Sequence, residues 1–324
     1  MNRDELVQDL RDSGSEALAA MMAVPESALE RGCYEQGWTV RQIMAHVASM
    51  EFAYRRLPEL ARGSRDAQTT TGGGRFDMDG YNARQVEKRK STPPAELAEE
   101  FRRGRGALVV LIADTEAELL DTPVRTAGGV TGSLGQAIQE TAVSHVRTHS
   151  SDFARAAGSA PNAGERAAAA LLISAAEVSS RLESTTAAQW RYRSTPDDWS
   201  AAGITGHLIE LMPYWATRLA ASAGEPSLTL ERDIDAPERL GGVVEGEAMP
   251  PAQAAKAVDR AAAGAAVTLR RIPENQWQNV VEGPRYGRLS VADMAGRLLV
   301  MHSRDHIRQI AAALAAADGT GLSG

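Results

Sequence analysis

The chain contains six histidines, and all of them fall into two copies of one spacing pattern. In each copy a single histidine is followed, 99 or 95 residues later, by a His-x-x-x-His pair. Imidazole is the commonest protein ligand for divalent transition metals. Two histidines four residues apart on a helix present their rings on one face. The sequence therefore predicts two three-histidine metal sites: His46, His145 and His149 in one, and His207, His302 and His306 in the other.

The structural alternative for each histidine is an ordinary residue with one hydrogen bond, and for a single example that alternative would be preferred. Here every histidine of the chain belongs to one of the two triads, and this shared use favours metal binding. Three imidazoles leave at least one coordination position open, as catalytic sites do and closed structural sites do not. We therefore expect sites that are open to a substrate.

To bring these residues together the chain needs helices that pack side by side, and the apolar spacing predicts four in each half. Thr39 and Ser133 each stand three residues before a glutamine, which is the form of a capping box at a helix start. Paired prolines suit the first turn of the third helix. The expected helices cover residues 3–22, 39–61, 93–114 and 133–157 in the first half, and 164–184, 200–222, 250–271 and 290–317 in the second.

The two halves also repeat one another at landmarks other than the histidines. A tryptophan stands eight residues before the first histidine of each triad, and a serine stands twelve residues before each His pair. These separate landmarks agree, with one change in the number of residues that separates corresponding positions of the two halves. This agreement indicates an internal repeat of about half the chain. The stretch 158–164 has the Gly, Pro, Asn and Ser composition of a connector. We predict an all-α protein of two tandem four-helix bundles, residues 1–160 and 161–324.

A long connection, residues 62–92, separates the second and third expected helices of the first half. Such connections are often functional, and a long crossover fits a bundle that is not simply up and down. The triple glycine at 72–74 is not a phosphate loop, because no strand precedes it and no Gly-Lys-Ser/Thr follows. Asp77 and Asp79 do not continue into a calcium loop, so a turn with capped backbone amides is expected there.

The composition excludes several classes of protein. A net charge of −7 argues against non-specific binding to nucleic acid. The amino terminus has no apolar segment behind a positive start, and no apolar run is long enough to span a bilayer. The single cysteine, Cys33, can form neither an internal disulfide nor a cysteine metal cluster. We expect a cytoplasmic protein whose partner is a small-molecule substrate.

Several short segments resemble one known family. The sequence WTVRQIMAH at 38–46 resembles the second-helix entry of the DinB-like bacterial superfamily, and HSRDHIRQ at 302–309 resembles its fourth-helix metal motif. The segments FDMDGYN at 76–82 and STPPAE at 91–96 resemble the crossover and third-helix start of the branch related to mycothiol-dependent maleylpyruvate isomerase. The resemblance covers essentially the whole chain, twice.

This resemblance implies a four-helix bundle with a divalent metal site in each half, and the same six histidines as ligands. Several members of the superfamily are thiol S-transferases or isomerases that use mycothiol, bacillithiol or glutathione. The chain departs from the pattern at Asp152, where the second half has Gln309 three residues after its last ligand. It also follows the first bundle with another bundle, whereas the isomerase relatives usually carry an unrelated second domain.

The chemistry expected at an open metal position is that of a Lewis acid, which lowers the pKa of a coordinated water or thiol. Groups that accept the free imidazole N–H would orient the ligands. Asp305 is the first candidate for such a group, with Glu140 and Asp152 as weaker ones, and a solvated surface charge is the alternative for each. Arg147 and Arg304 are expected to face away from the metal, although they could bind an acidic substrate.

Three classes of function fit these features: a metal-dependent thiol S-transferase or isomerase acting on a small electrophile, a hydrolase that uses metal-bound water without a thiol, and a non-catalytic, stress-linked metal-binding module. Zinc is the expected metal, and nickel and iron also accept imidazole. Because proteins of the superfamily commonly pair as dimers, the chain is expected to be a monomer with pseudo-dimeric halves or a homodimer.

Overall fold

A computed structural model of the chain describes residues 2–32, 37–63, 77–127, 129–283 and 285–320. The chain divides into two compact units, Met1–Pro161 and Asn162–Gly324. Both consist of helices with a few short strands, so the prediction of an all-α fold in two domains is confirmed. Within the described ranges, no helix combines the length and apolar character needed to cross a membrane. The predictions for Cys33 and for the glycines at 72–74 fall outside the described residues.

The first unit is a bundle in which the short elements connect longer helices. Its elements are α1 (Arg3–Ala23), α2 (Val40–Tyr54), α3 (Leu57–Ala61), α4 (Met78–Lys88), α5 (Pro94–Ala113), β1 (Pro123–Arg125), β2 (Thr131–Ser133), α6 (Leu134–Ile138) and α7 (His145–Ala157). A π-helical segment, Gln139–Ser144, joins α6 to α7. Helix α1 packs against α5 and α7, and α2 packs against α5.

Local sequence sets the start of the helices that carry the site. Helix α2 begins at a capping box, in which the Thr39 hydroxyl accepts the Gln42 N–H and Gln42 Oε1 accepts the Thr39 N–H. Ser133 and Gln136 form the same box before α6. These bonds satisfy donors that a helix start leaves without intrahelical partners. Helix α5 begins at Pro94, where the missing N–H costs no hydrogen bond.

The second unit has a similar order of elements. They are α8 (Ala163–Leu182), α9 (Ala187–Arg191), α10 (Ala201–Gly224), α11 (Pro237–Ala248), α12 (Pro251–Arg270), β3 (Val280–Gly283), β4 (Gly287–Ser290), α13 (Val291–Ala295) and α14 (His302–Asp318). The short helix α9 precedes the second long helix of this unit, whereas α3 follows the second long helix in the first unit. A π-helical segment, Gly296–Met301, joins α13 to α14. Helix α8 packs against α12, and α10 packs against α11, α12 and α14.

The structure differs from the predicted elements in the connections. Helices α4 and α11 lie in the crossovers, and Asp77 caps α4 by accepting the Gly80 N–H at 2.9 Å, which confirms the capped turn expected there. An antiparallel hairpin precedes the last helix of each unit, β1 with β2 and β3 with β4. Strands of three or four residues are too short for a periodic pattern to separate them from loop.

Each unit has its own apolar core. In the first unit, α1, α5 and α6 contribute Leu10, Leu108 and Ile138, all with no exposed surface. In the second, Trp190 and Trp277 are the largest fully buried apolar side chains. Complete burial of a large apolar side chain contributes about 1.5 to 3 kcal/mol, so the cores hold the helices that carry the histidines in fixed positions.

Candidate metal centres

The structure brings the three histidines of the first unit together. His46 comes from α2, and His145 and His149 come from the first turn and a half of α7. The Nε2 atom of His145 lies 3.5 Å from Nε2 of His46 and 3.0 Å from Nε2 of His149. The three rings lie edge to face, with centroids 4.6 to 5.4 Å apart. Their nitrogens therefore point at one common centre.

The second unit makes the same cluster from α10 and α14. The centroids of the His207, His302 and His306 rings are 4.7 to 5.9 Å apart. One ring nitrogen from each histidine lies within 4.8 Å of the others. All six predicted histidines thus lie in two groups of three that could hold a metal ion.

A π-helical segment stands directly before the His pair in both units. In the first unit it ends at Ser144, and His145 begins α7; in the second it ends at Met301, and His302 begins α14. A π-helical turn adds a residue to the helix and rotates the residues after it, and such turns are frequent at functional sites. The segment therefore sets the direction in which each His pair faces. Helical periodicity alone did not reveal it.

A tryptophan contacts the first histidine of each triad. The rings of Trp38 and His46 have centroids 5.2 Å apart, and those of Trp199 and His207 are 5.4 Å apart. This contact explains the repeated spacing of eight residues between tryptophan and histidine. The tryptophan packs on the imidazole and covers it from one side.

In the last helix of each unit, the residue three positions after the final histidine holds that histidine. The Nδ1 atom of His149 lies 3.1 Å from Oδ2 of Asp152, and Nδ1 of His306 lies 2.8 Å from Oε1 of Gln309. Each oxygen accepts the Nδ1 proton, which leaves the Nε2 lone pair to face the centre. Asp152 and Gln309 therefore play the same role as acceptors of the Nδ1 proton, although the difference between the two residues suggested that the first unit holds its histidines differently.

Asp305, three residues after His302 and the first candidate for an acceptor of an imidazole proton, does not bond a histidine. Its carboxylate pairs with Arg308 at 2.9 Å, and its side chain is 61% exposed. Among the described residues, no hydrogen bond joins Asp305 or Glu140 to an imidazole. Of the three predicted groups only Asp152 contacts a histidine. Arg147 pairs with Glu16 at 3.1 Å, on the outside of the bundle.

Two contacts were missed by sequence reasoning. The Tyr54 hydroxyl lies 3.0 Å from Nδ1 of His145, so it can accept the proton of that ring nitrogen. In the second unit, Oε2 of Glu210 lies 3.9 Å from Nδ1 of His207, and Oε1 of the same carboxylate accepts from Arg232 at 2.7 Å. Glu210 stands three residues after its histidine, so a search of helical neighbours would have found it. Tyr54 is 91 residues from its partner and leaves no such signal.

Burial keeps all six imidazoles neutral near pH 7. Desolvation is the largest cause, and it lowers each pKa because the charged ring loses its water. Neighbouring histidines lower four of them further. The pKa falls to about 3 for His46 and His207 and to about 4 for His145 and His302, and it is also lowered for His149 and His306. Neutral imidazole is the form that binds a metal.

The donor geometry fits a divalent metal. Nitrogens bound to one tetrahedral ion at about 2.0 to 2.1 Å stand about 3.3 Å apart, and the two distances of 3.0 and 3.5 Å in the first unit bracket that value. In the second unit, Nε2 of His306 is buried and has no hydrogen-bond partner among the described residues. Leaving a buried polar atom unpaired costs about 1 to 3 kcal/mol, and a metal bond would remove that cost.

A cavity of about 240 Å³ opens beside the second cluster. Its lining contains the basic and aromatic residues Arg285, Tyr286, Arg297, His302 and His306, one carboxylate from Asp305, and the side chains of Met301 and Gln309. The open side of this triad therefore leads into a space that could hold a small molecule.

Comparison with known proteins gives one family for each half of the chain. Residues 10–146 match the family described as Mycothiol maleylpyruvate isomerase N-terminal domain. Residues 170–310 match the DinB superfamily. Neither a search of curated proteins nor a search of solved structures found a match. The two family matches, one in each half, identify the chain as a tandem DinB-like protein.

Proposed function

We propose that the chain is a divalent-metal-dependent enzyme in which each histidine triad holds one metal ion and leaves a coordination position open. The proposed reaction is transfer of a low-molecular-weight thiol, such as mycothiol, to a small electrophile, or a thiol-dependent isomerisation. The observation that carries this is the convergence of three neutral imidazole nitrogens on one centre in each unit. The match of the first half to a mycothiol-related family supports the thiol.

The metal would supply a Lewis acid that lowers the pKa of a thiol or water coordinated to it. The residues of the chain hold the ligands in the form this needs. Asp152 and Gln309 accept the Nδ1 proton of the last histidine of each triad, which keeps Nε2 as the donor. Tyr54 does the same for His145. Trp38 and Trp199 contact the ring of the first histidine of each triad.

Zinc is the metal we propose, because three imidazoles and an open position are the donor set of a catalytic zinc ion. Nickel and iron also accept imidazole, and affinity order alone does not decide occupancy in cells. We propose a cytoplasmic location, where small thiols are kept reduced. The substrate partner would be a small molecule.

Elemental analysis of the purified chain tests the metal sites. We expect about two divalent ions per chain in the wild type and about one in each of the variants His145→Gln and His302→Gln. These substitutions remove one ligand each and keep a polar side chain of similar size. Absence of metal from all three proteins, after growth with excess zinc, would overturn the proposal.

The thiol step is tested by a separate assay. We expect metal-loaded protein to consume thiol with 1-chloro-2,4-dinitrobenzene as a general electrophile, and chelation of the metal to stop the reaction. Hydrolysis of an activated ester at equal rates with and without thiol would assign a hydrolase instead. Two bound metals with no turnover of either substrate would assign a non-catalytic metal-binding module.

A further inference from the structure

The entrance to the second cluster carries positive charge at positions where the first unit has an acidic residue and two glycines. Arg297 stands five residues before the His pair, and Glu140 stands at the same position of the first unit. Arg285 and Tyr286 are likewise replaced in the repeat by Gly128 and Gly129. The charge is therefore reversed at one position, and a second positive charge is added by Arg285.

The two arginines of the second unit converge on one aromatic ring. The guanidinium carbons of Arg285 and Arg297 each lie 5.7 Å from the centroid of the Tyr286 ring. A cation within about 6 Å of an aromatic face is attracted to it. Tyr286 therefore holds two guanidinium groups in the wall of the same 240 Å³ cavity that contains His302 and His306.

Further arginines surround the histidines from α11 and from the loop before it. Arg239 lies over the ring of Trp199, 4.6 Å from its centroid, and Trp199 itself packs on His207. The Arg232 side chain is only 7% exposed, and its Nε and Nη1 atoms have no hydrogen-bond partner among the described residues. Glu210 compensates part of this charge. In the described part of the chain, four arginines thus surround the second triad, against two carboxylates, those of Glu210 and Asp305, and Asp305 is itself paired with Arg308.

The size of the cavity limits what this environment can bind. A volume of about 240 Å³ equals about eight water molecules at about 30 Å³ each. Because the cavity is open to solvent on one side, this volume describes the part of a ligand that it encloses, and a small molecule fits it whole. A guanidinium group offers two parallel N–H donors that match the oxygens of a carboxylate or phosphate.

We propose that the second site selects a small organic anion, whose oxyanion group is bound by Arg285 and Arg297 while the rest of the molecule extends toward His302 and His306. This rests on the proposed function, since it names the substrate class for one of the two metal sites. The first unit has Glu140 in place of Arg297 and does not share this preference. The two halves would then act on ligands of different charge.

Isothermal titration of the full chain with succinate, at low ionic strength, tests the proposal. The chain is measured as purified and again after chelation. We expect one saturable site per chain in both preparations. In the double variant Arg285→Met/Arg297→Met the affinity should fall about tenfold or more, because two charge-assisted contacts are lost. Both arginines are exposed, so the variants keep the fold, which circular dichroism verifies.

Arg288→Met is the matched control, because Arg288 is an exposed arginine of the same hairpin that does not line the cavity. It should bind succinate as the wild type does. Succinamide, the neutral analogue, should not bind, and inorganic phosphate in place of succinate decides which oxyanion fits better. Equal affinity in the double variant and the wild type, or binding of succinamide as strong as that of succinate, would overturn the proposal. The chelated protein separates this result from the metal hypothesis, since a failure of metal binding leaves the titration unchanged.

Discussion

The two histidine clusters present the same ligands but are supported by different residues. In the first unit, Glu51 forms a buried ion pair with Arg105, with Oε1 2.6 Å from Nη2 and both side chains fully buried. In the second unit, Met212 and Ala262 stand at the same positions of the repeat, and both are fully buried. One unit thus places charge where the other has apolar packing.

Arg105 joins four parts of the first unit. It donates to both carboxylate oxygens of Glu51, to the Leu10 carbonyl, to the Ser13 hydroxyl and to the Ala142 carbonyl. Ala142 lies in the π-helical segment that precedes His145, where the helical hydrogen-bond pattern is altered. One guanidinium group therefore connects α1, α2 and α5 to the turn that precedes the histidine pair.

The ligand geometry does not require one particular support. The second unit forms its cluster without the ion pair, and its π-helical segment is retained. Burying two charges costs several kcal/mol, which their attraction repays only when every hydrogen bond is made. The pair therefore contributes to a defined arrangement more than to net stability. Changes of pH and single substitutions can separate the properties that the two units share from those in which they differ.

Lowering the pH should destabilise the protein more than any single substitution, and the effect should be common to both units. The folded-state pKa values of the histidines lie below the unfolded value of about 6.5, so the unfolded chain binds protons more tightly. The contribution of the histidines to the free energy of unfolding of metal-free protein is then fully present above about pH 6.5. It is lost as the pH falls from there toward about 4. The slope approaches about 1.4 kcal/mol per pH unit for each histidine.

Urea unfolding at pH 7.0, 6.0 and 5.0 measures this slope, in a range where few carboxylates titrate. The triple variant His46→Gln/His145→Gln/His149→Gln should lose the pH dependence of the first unit only. The equivalent variant of the second triad serves as its counterpart. A slope unchanged in both variants would show that the histidines do not carry the acid sensitivity.

Breaking the buried ion pair is the next largest effect. Either Arg105→Met or Glu51→Met should destabilise the first unit by about 3 to 5 kcal/mol, because each leaves a buried charge without its partner. The double variant, which resembles the second unit more closely, should be less destabilised than either single one. Denaturant unfolding measures all three. If the double variant loses the sum of the two single losses of unfolding free energy, this result would contradict the view that the pair contributes to a defined arrangement more than to net stability.

The facing of the two histidines of each pair and the helix starts were predictable because both depend on neighbours along the chain. The His-x-x-x-His pairs and the box of Thr39 with Gln42 are readable from spacing alone. The Glu51 and Arg105 pair joins residues 54 positions apart, and nothing local indicates it. The supports of the site were therefore harder to predict than its ligands.

The prediction for Asp305 failed for a related physical reason. A charged residue three positions after His302 is the expected acceptor, yet the acceptor found in α14 is an uncharged amide, Gln309, and it bonds His306. Helical spacing placed both residues near the cluster and could not distinguish a side chain that pairs with Arg308 at the rim from one that turns inward. Glu140 lies inside the π-helical segment Gln139–Ser144, where a uniform period of 3.6 residues does not apply.

A close helix contact near His207 should be sensitive to one methyl group. A Cβ added to Gly246 on α11 would lie 2.3 Å from the Ala202 carbonyl oxygen and 2.7 Å from Cα of Gly206, both on α10. Gly246→Ala should therefore destabilise the second unit by about 1 to 3 kcal/mol. Its matched control is Gly241→Ala on the same helix, where a Cβ meets nothing within 4 Å. Thermal unfolding of both variants checks this, and equal stability would contradict the contact.

Removing the Tyr54 hydroxyl should affect metal binding at one site only. Tyr54→Phe takes away the hydroxyl acceptor of the His145 Nδ1 proton, and the backbone of Thr141 still bonds this ring, so we expect the first site to lose up to about tenfold in metal affinity. Trp215, at the same position of the repeat, carries a ring N–H that cannot accept a proton. Trp215→Phe should therefore change the metal affinity of the second site by no more than about threefold from the wild-type value, because only packing contacts are lost. Competition with a chelating dye, in variants that retain a single triad, separates the two affinities. An equal loss of metal affinity at both sites would show that the Tyr54 hydroxyl has no specific effect on the first site.

The smallest effect should come from exchanging the acceptors that the two units use in the same place. Asp152 accepts the His149 Nδ1 proton as a carboxylate, whereas Gln309 accepts that of His306 as an amide. A carboxylate makes the imidazole a stronger donor to a metal than an amide does. Asp152→Asn should lower the metal affinity of the first site, and Gln309→Glu should raise that of the second, each by less than about tenfold because an acceptor remains in place. The same dye competition gives both values.

Because Arg155 also pairs with Asp152, the variant Arg155→Met is the control that separates loss of that ion pair from loss of the carboxylate's effect on the ring. A fall in affinity on introducing the glutamate would mean that the orientation of the acceptor, rather than its charge, sets the strength of the ligand.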